Sequence, residues 1–129
     1  MIDSPNDLDE YEQEGDVVAQ VTDGQFYQAL ASEQRRQLLH YLLEQQESTV
    51  DELATVLSGW QATTTDSIQS DSDRQKLKTA LTHHHLPVLS EAGLVEYHAD
   101  HETVRLESLD SLVKDIIRVS FDEGQLERL

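Results

Sequence analysis

The sequence predicts a mainly α-helical domain with a small β-hairpin near its end, and three observations support this fold class. Apolar residues recur at helical spacing between residues 23 and 92. Immediately after Gly93 the apolar spacing changes to a period of two. A length of 129 residues is typical of one domain, so a single hydrophobic core is expected.

The N-terminal segment, residues 1–22, is predicted to be a disordered acidic tail. Residues 1–23 contain eight Asp and Glu residues and no Lys or Arg. Such a segment cannot bury enough apolar surface to offset the entropy lost when it orders. Only the stretch VVAQV at 17–21 is apolar enough to dock on the domain. The tail is interpreted as a solubilising extension, with nucleic-acid mimicry or autoinhibition of a binding face as the alternative.

Three short helices are predicted to follow the tail. Asp23 is the expected N-cap of the first, and its inward residues are Phe26, Tyr27 and Leu30. Ser32 can cap the second, whose apolar stripe comprises Leu38, Leu39, Leu42 and Leu43. Thr49 and Glu52 form a capping-box pattern for the third, with the buried set Val50, Leu53, Ala54 and Leu57.

A long polar stretch and a fourth helix come next. Residues 59–73 are predicted to be a loop or a frayed helix end from which Trp60 folds back onto the core. The fourth helix is expected to start near Ser72, with Gln75 as its third-position capping partner. Its inner face is predicted to comprise Leu77, Leu81, Val88, Leu89 and Ala92. Pro87 should kink or restart this helix, and Gly93 should end it.

The end of the chain is predicted to form a hairpin and a last helix. Val95 and Tyr97 lie on one face of the first strand, and Val104 and Leu106 follow a polar turn at 99–102. Ser108 is the expected cap of a helix running to about Phe121. These elements divide the chain into an acidic tail (1–22), a folded domain (23–107) and a C-terminal helix (108–129).

This order of elements is typical of a winged helix-turn-helix, in which the second helix of the pair enters the major groove. ALASEQRRQLLHYL at 29–42 resembles the opening helices of ArsR-type repressors, and STVDELATVL at 48–57 resembles their supporting helix. HLPVLSEAGLVEY at 85–97 resembles the end of their recognition helix and their first wing strand. The longer stretch LTHHHLPVLSEAGLVEY at 81–97 is similar to a haloarchaeal winged-helix family that carries His-x-His-Leu-Pro here.

Two features depart from the family pattern. The polar insert at 59–73 separates the two helices of the pair more widely than a tight turn would. The wing tip reads HADHE, where many DNA-binding wings carry Arg or Lys. Both features weigh against contact with DNA.

The resemblance implies a transcriptional regulator that binds double-stranded DNA through the helix at about 72–92. Steps of 100° per residue place several polar side chains, including Ser90, on the outward face of this helix. The apolar Leu86 is predicted to lie on the same face. The candidate DNA-binding residues are Arg74, Gln75, Lys76, Lys78, Thr79, Thr82 and His83. The alternative is a winged-helix module that binds another protein through Leu86 and the last helix.

The last helix is the candidate dimerisation element. Its apolar stripe is predicted to comprise Leu109, Leu112, Val113, Ile116 and Ile117. The stripe could pack on its own domain or on a twofold-related copy, and the ArsR-like resemblance implies the second arrangement. A homodimer would also match two DNA half-sites spaced by one helical turn.

The charge balance indicates adaptation to concentrated salt. Twenty-six acidic and nine basic side chains give a net charge of −17, and only three of the bases are lysine. At 1 M salt the Debye length is about 3 Å, which makes such a surface tolerable. The absence of cysteine excludes disulfides and thiolate sites, so the cytoplasm is the expected compartment. No signal peptide or membrane span is predicted.

No cofactor, metal site or catalytic motif is predicted. His83, His84 and His85 are consecutive, so on a helix they cannot converge on one metal ion. The alternative is a metal site in which His98 and His101 of the hairpin join one of them in space. His84 and His85 are expected to be partly buried with backbone partners. The chain contains no nucleophile elbow, phosphate loop or metalloprotease motif, so no enzymatic activity is expected.

Overall fold

The computed structural model describes residues 23–65 and 70–126, a mainly helical fold with one small antiparallel sheet. The predicted acidic tail lies outside the described residues. The elements in chain order are α1 (Gly24–Leu30), α2 (Glu33–Gln45), β1 (Glu47–Thr49), α3 (Val50–Thr65), α4 (Asp71–Ala80), a π-helical turn (Leu81–His85), α5 (Leu86–Glu91), β2 (Val95–His98), β3 (Thr103–Leu106) and α6 (Ser111–Leu126).

The first two helices begin at the predicted caps. The Asp23 carboxylate accepts a hydrogen bond from the Gln25 amide, and the Ser32 hydroxyl accepts one from the Arg35 amide. The inward face of α1 differs from the prediction in one residue. Tyr27 is 60% exposed, whereas Phe26 is buried. Ala29 occupies the second buried position, because a seven-residue helix presents only a narrow stripe to the core.

The third helix begins with the predicted cap and continues further than predicted. The Thr49 hydroxyl accepts a hydrogen bond from the Glu52 amide at 3.1 Å. The predicted buried set Val50, Leu53, Ala54 and Leu57 is fully buried. Residues 59–73 were predicted to be a loop or a frayed helix end; the loop alternative was wrong for 59–65, where α3 continues. Gly59 does not end this helix, and Trp60 packs against the core as expected.

The N-cap of the fourth helix lies two residues before the predicted one. Ser70 and Asp73 form a reciprocal capping box, so Ser70 and not Ser72 is the N-cap. A π-helical turn separates α4 from α5, and the Leu86 amide donates back to the Leu81 carbonyl. The wider turn accommodates Pro87, which lacks an N–H group and crowds the preceding turn.

The π-helical turn also changes which side chains face the core. One extra residue in the turn shifts the inner face by about one position. The prediction that Leu86 points outward was therefore wrong, because its side chain is fully buried beside the buried His85. Of the predicted inner-face residues after the turn, Leu89 is fully buried and Val88 and Ala92 are half-buried.

The helical segment ends at the predicted glycine and leads into the predicted hairpin. Gly93 has a φ of 76°, and the Leu94 amide bonds the Leu89 carbonyl, which is the six-to-one bond of a Schellman motif. Strands β2 and β3 are antiparallel, and Val95 lies opposite Leu106. The sequence did not predict β1, which pairs with the other edge of β3 and gives the order β1-β3-β2.

The last helix packs on the domain through only part of its predicted stripe. Val113 and Ile117 are fully buried, whereas Leu112 is 47% exposed. The helix begins after Asp110, whose carboxylate accepts from the Leu112 amide, and not after the predicted cap Ser108. Stacking of Phe121 on the His40 ring, with centroids 3.9 Å apart, adds to the contact between α6 and α2.

Candidate nucleic-acid interface

The continuous helical segment from Asp71 to Glu91, here called the α4 segment, carries a row of exposed polar side chains on its outer side. Gln75, Lys76, Thr79 and His83 are all exposed, while Leu77 and Leu81 on the opposite side are buried. The capping box at Ser70 fixes the start of this helix and therefore the direction of the row. The four residues, here called the outer row, agree with four of the seven predicted DNA-binding positions.

Two other candidate residues, Arg74 and Lys78, are occupied by contacts within the chain. The Lys78 ammonium lies 2.8 Å from an Asp51 carboxylate oxygen and 3.6 Å from Glu102. The Arg74 guanidinium donates to the Thr55 hydroxyl at 3.0 Å and lies 3.6 Å from the Asp51 carboxylate. Of the three cations Arg74, Lys76 and Lys78, only Lys76 therefore has no carboxylate within 4 Å among the described residues.

These ion pairs change the titration of the groups that form them. The hydrogen bond from Lys78 lowers the pKa of Asp51 below its usual value, and the charges of Lys78 and Arg74 act in the same direction. The same hydrogen bond raises the pKa of Lys78. Asp51 therefore ties α4 to the start of α3, and Lys78 extends the tie to Glu102 in the hairpin turn.

The threonines on α4 and the π-helical turn bond to their own helix. The Thr79 hydroxyl donates to the Gln75 carbonyl at 3.0 Å. The hydroxyl of Thr82, the remaining candidate residue, lies 3.1 Å from the Thr79 carbonyl and 3.3 Å from that of Lys78. Neither hydroxyl proton is therefore available to an outside acceptor in this arrangement. Thr82 is half-buried, whereas Thr79 is exposed.

The other end of the segment is held by a buried arginine that the sequence analysis missed. Arg35 is 5% exposed, and its guanidinium donates to the Ala29 carbonyl at 3.0 Å and the Gln28 carbonyl at 2.7 Å. It also lies 3.1 Å from Nδ1 of His85 and 3.3 Å from Nε2 of His84. The sequence contains a signal for the burial of Arg35, because this residue precedes Leu38, Leu39 and Leu42 at the spacing of one helix face.

The arginine contact fixes the protonation state of His85. Because the guanidinium can only donate, Nδ1 accepts and Nε2 carries the proton that bonds the Gln34 oxygen at 2.7 Å. Burial lowers the pKa of His85 to about 4, and the charges of Arg35 and His84 add to this effect. The expectation of partial burial with backbone partners was wrong for both histidines. His85 is buried and held by two side chains, whereas His84 is exposed and contacts the Arg35 side chain.

Comparison with known proteins identifies the family of the chain. A protein family described as a domain of unknown function, DUF7344, matches residues 27–105, well over half of the chain. The chain belongs to this family. Comparison with curated proteins finds no match, and comparison with solved structures finds none either.

The DUF7344 match contains the whole candidate interface. It runs from α1 into β3 and therefore includes Arg35, Asp51, the outer row and the hairpin. Helix α6 lies outside the matched residues. The ion pairs of Asp51 and the hydrogen bonds of Arg35 with the histidines are thus formed within the matched part of the chain.

The hairpin turn of this DUF7344 chain presents acidic and imidazole groups. Asp100, His101 and Glu102 are exposed in the turn. On the neighbouring strands, Glu96 lies 2.9 Å from the His98 ring and 3.5 Å from the Arg105 guanidinium. The carboxylate of Glu96 therefore offsets the one arginine of the hairpin.

An apolar patch remains exposed on α6. Val119 is 54% exposed, Leu112 is 47% exposed, and the half-buried Ile116 lies between them. Ile116 and Val119 also line a shallow groove with Asp115, Ser120 and Glu123. Leu112, Ile116 and Val119 are here called the α6 patch. Val113 and Ile117 of the predicted stripe are buried within their own chain.

The described part of the chain contains neither a cluster of metal ligands nor a membrane-spanning helix. Within residues 23–65 and 70–126, no three His, Asp or Glu side chains lie close enough together to hold a metal ion. The helices in those same ranges include none that is long and apolar enough to cross a membrane.

Proposed function

We propose that this DUF7344 protein is a winged helix-turn-helix regulator of transcription that inserts α4 into the major groove of double-stranded DNA. The observation that carries the proposal is the outer row, which stands exposed on a helix whose other face is buried. An exposed helix face with an amide, an ammonium and an imidazole can reach base edges and phosphates.

The order and pairing of the elements support a winged helix. Helices α3 and α4 follow one another, and α5 leads through Gly93 directly into the hairpin. The pairing of β1 with β3 joins the start of α3 to the hairpin, as a wing attached beside a helix-turn-helix requires. The ArsR-like resemblance of residues 29–97 is consistent with this arrangement.

The negative charge of the domain favours a mode of DNA recognition that operates in concentrated salt. Residues 24–106 contain twelve acids and six bases, a net charge of −6, so attraction to phosphates is weak. The pairing of Arg74 and Lys78 with Asp51 weakens it further. Binding would therefore depend on shape and base contacts, which salt screens least. The lack of cysteine suits the reducing cytoplasm, where such a regulator would act.

The proposal is tested by selecting bound genomic fragments in molar potassium chloride. We expect an enriched motif for the unaltered protein and its loss or weakening in Lys76→Ala, Thr79→Ala and His83→Ala. Gln45→Ala, an exposed change on α2, serves as the matched control and should keep the motif. No enriched motif with the unaltered protein, or equal behaviour of all four variants, would refute DNA reading by α4.

We also propose that the protein forms a homodimer through the α6 patch. The patch lies on the face of α6 turned away from its own core, so a twofold-related copy can cover it. Light scattering in molar salt should give a dimer mass at micromolar concentration. Leu112→Asp should give a monomer, whereas Tyr27→Asp, at another exposed large side chain far from α6 in the sequence, should not. A monomeric unaltered protein would remove this proposal.

A second candidate function is binding of another protein, which the exposed α6 patch also favours. Leu86 no longer supports it, because that side chain is buried. A monomer without an enriched DNA motif that binds one partner through the α6 patch would favour this function over the first.

A further inference from the structure

The outer row is chemically selective, because two of its residues, Gln75 and Thr79, offer different kinds of contact. The Gln75 side chain is exposed and makes no hydrogen bond or ion pair within the described residues. The Thr79 hydroxyl donates its proton to the Gln75 carbonyl. Gln75 can therefore both donate and accept, whereas Thr79 offers a methyl group and an acceptor oxygen but no proton.

These two chemistries match the two bases of one kind of base pair. Adenine presents an acceptor and a donor side by side in the major groove, which an amide such as that of glutamine can bond in pairs. Thymine presents a methyl group there, which packs against the methyl group of a threonine. Guanine offers two acceptors, and the proton of Thr79 is not available to either of them.

The spacing of Gln75 and Thr79 allows both contacts in one short site. Residues four apart lie on the same helix face and about 6 Å apart along the axis. That distance is close to two base-pair steps of about 3.4 Å. Lys76, next to Gln75 and without a carboxylate within 4 Å among the described residues, is placed to contact the adjoining phosphate.

We infer that α4 reads adenine through Gln75 and the methyl group of thymine through Thr79, within two base pairs of each other. The inference rests on the proposed DNA-binding function and adds a base preference to it. Since this acidic chain gains little from phosphate attraction, these two contacts carry much of the discrimination among sequences.

The test uses the full-length protein in molar potassium chloride and a synthetic duplex bearing the selected motif. Uracil replaces thymine at one position at a time, which removes only the methyl group. At one position, affinity of the unaltered protein should fall about fourfold, the value of one buried methyl group. Thr79→Val keeps the methyl group and should retain this difference, whereas Thr79→Ser should abolish it. Gln75→Ala should lower the preference for one adenine about tenfold.

Thermal melting of the three variants checks that each is folded, since both residues are exposed. Sensitivity to uracil that persists in Thr79→Ser, or its loss in Thr79→Val, would overturn the methyl contact. A selected motif without an A·T pair would overturn the whole inference while leaving DNA binding in place. If the unaltered protein selects no motif, the proposed function itself fails.

Discussion

The two ends of the segment from Asp71 to Glu91 are held against the domain by different kinds of contact. At the N-terminal end, Arg74 and Lys78 pair with Asp51 at the surface. At the C-terminal end, the buried guanidinium of Arg35 bonds backbone carbonyls and His85, and it has no carboxylate within 4 Å in the described part of the chain. Salt screens surface ion pairs strongly and buried hydrogen bonds little.

Because of this difference, the two ends should respond differently to salt concentration. The C-terminal end should stay fixed in any salt, because its hydrogen bonds and apolar contacts are covered by the core. The N-terminal end, which carries most of the outer row, should depend on ionic strength. The end of the segment that carries the proposed DNA-reading residues should therefore change position more readily with salt concentration than the C-terminal end.

The largest effect is expected at the buried end, for Leu86→Ala. Its side chain is fully buried, so truncation removes apolar contacts and leaves a cavity. The free energy of unfolding, measured by urea denaturation in molar salt, should fall by about 4 kcal/mol. Leu112→Ala, at a 47% exposed leucine, should cost less than about 1 kcal/mol. Equal costs for the two variants would show that the C-terminal end is not anchored by burial.

The second effect concerns the titration of His85 at the same end. The pKa of His85 is about 4 in the folded chain and near its ordinary 6.5 when unfolded. Between these values the unfolded chain binds more protons, so stability is lost as the pH falls from about 6.5 to about 4 and changes no further below that. The loss attributable to this group should reach about 3 kcal/mol at most.

Comparison of variants isolates this histidine from the many carboxylates. The unfolding free energy of His85→Gln should depend less on pH between 6.5 and 4 than that of the unaltered protein. His83→Gln, at an exposed neighbour, should leave the pH dependence unchanged. An identical pH profile for the unaltered protein and His85→Gln would contradict the buried neutral imidazole.

The same two ends also show what the sequence could predict. The caps at Asp23 and Ser32, the glycine stop at Gly93 and the hairpin were predicted, because each depends on residues close together in the chain. The π-helical turn was not, and assuming a regular 100° step therefore placed Leu86 on the wrong face. The exposed positions Gln75, Lys76, Thr79 and His83 precede or lie within that turn, and their placement was correct.

Long-range contacts account for the remaining differences. Glu47–Thr49 forms a strand only because β3 pairs with it, and three polar residues carry no strand pattern of their own. Arg74 and Lys78 were interpreted as available cations, because their partner Asp51 lies more than twenty residues earlier. Periodicity identifies the face of a helix but not the groups that another element brings to it.

The smallest effect is expected at the exposed end, for Asp51→Asn. This change removes the two ion pairs between α4 and Asp51 and leaves only the longer pair between Lys78 and Glu102, so amide hydrogen exchange in α4 should become faster in dilute buffer. The increase should shrink in molar salt, where the Debye length falls to about 3 Å. Exchange in α5 should change little at either salt concentration. Asp115→Asn, which breaks a comparable surface pair with Arg118 on α6, should leave both helices unaffected. Equal acceleration in α4 and α5 would show that the two ends are held as one unit.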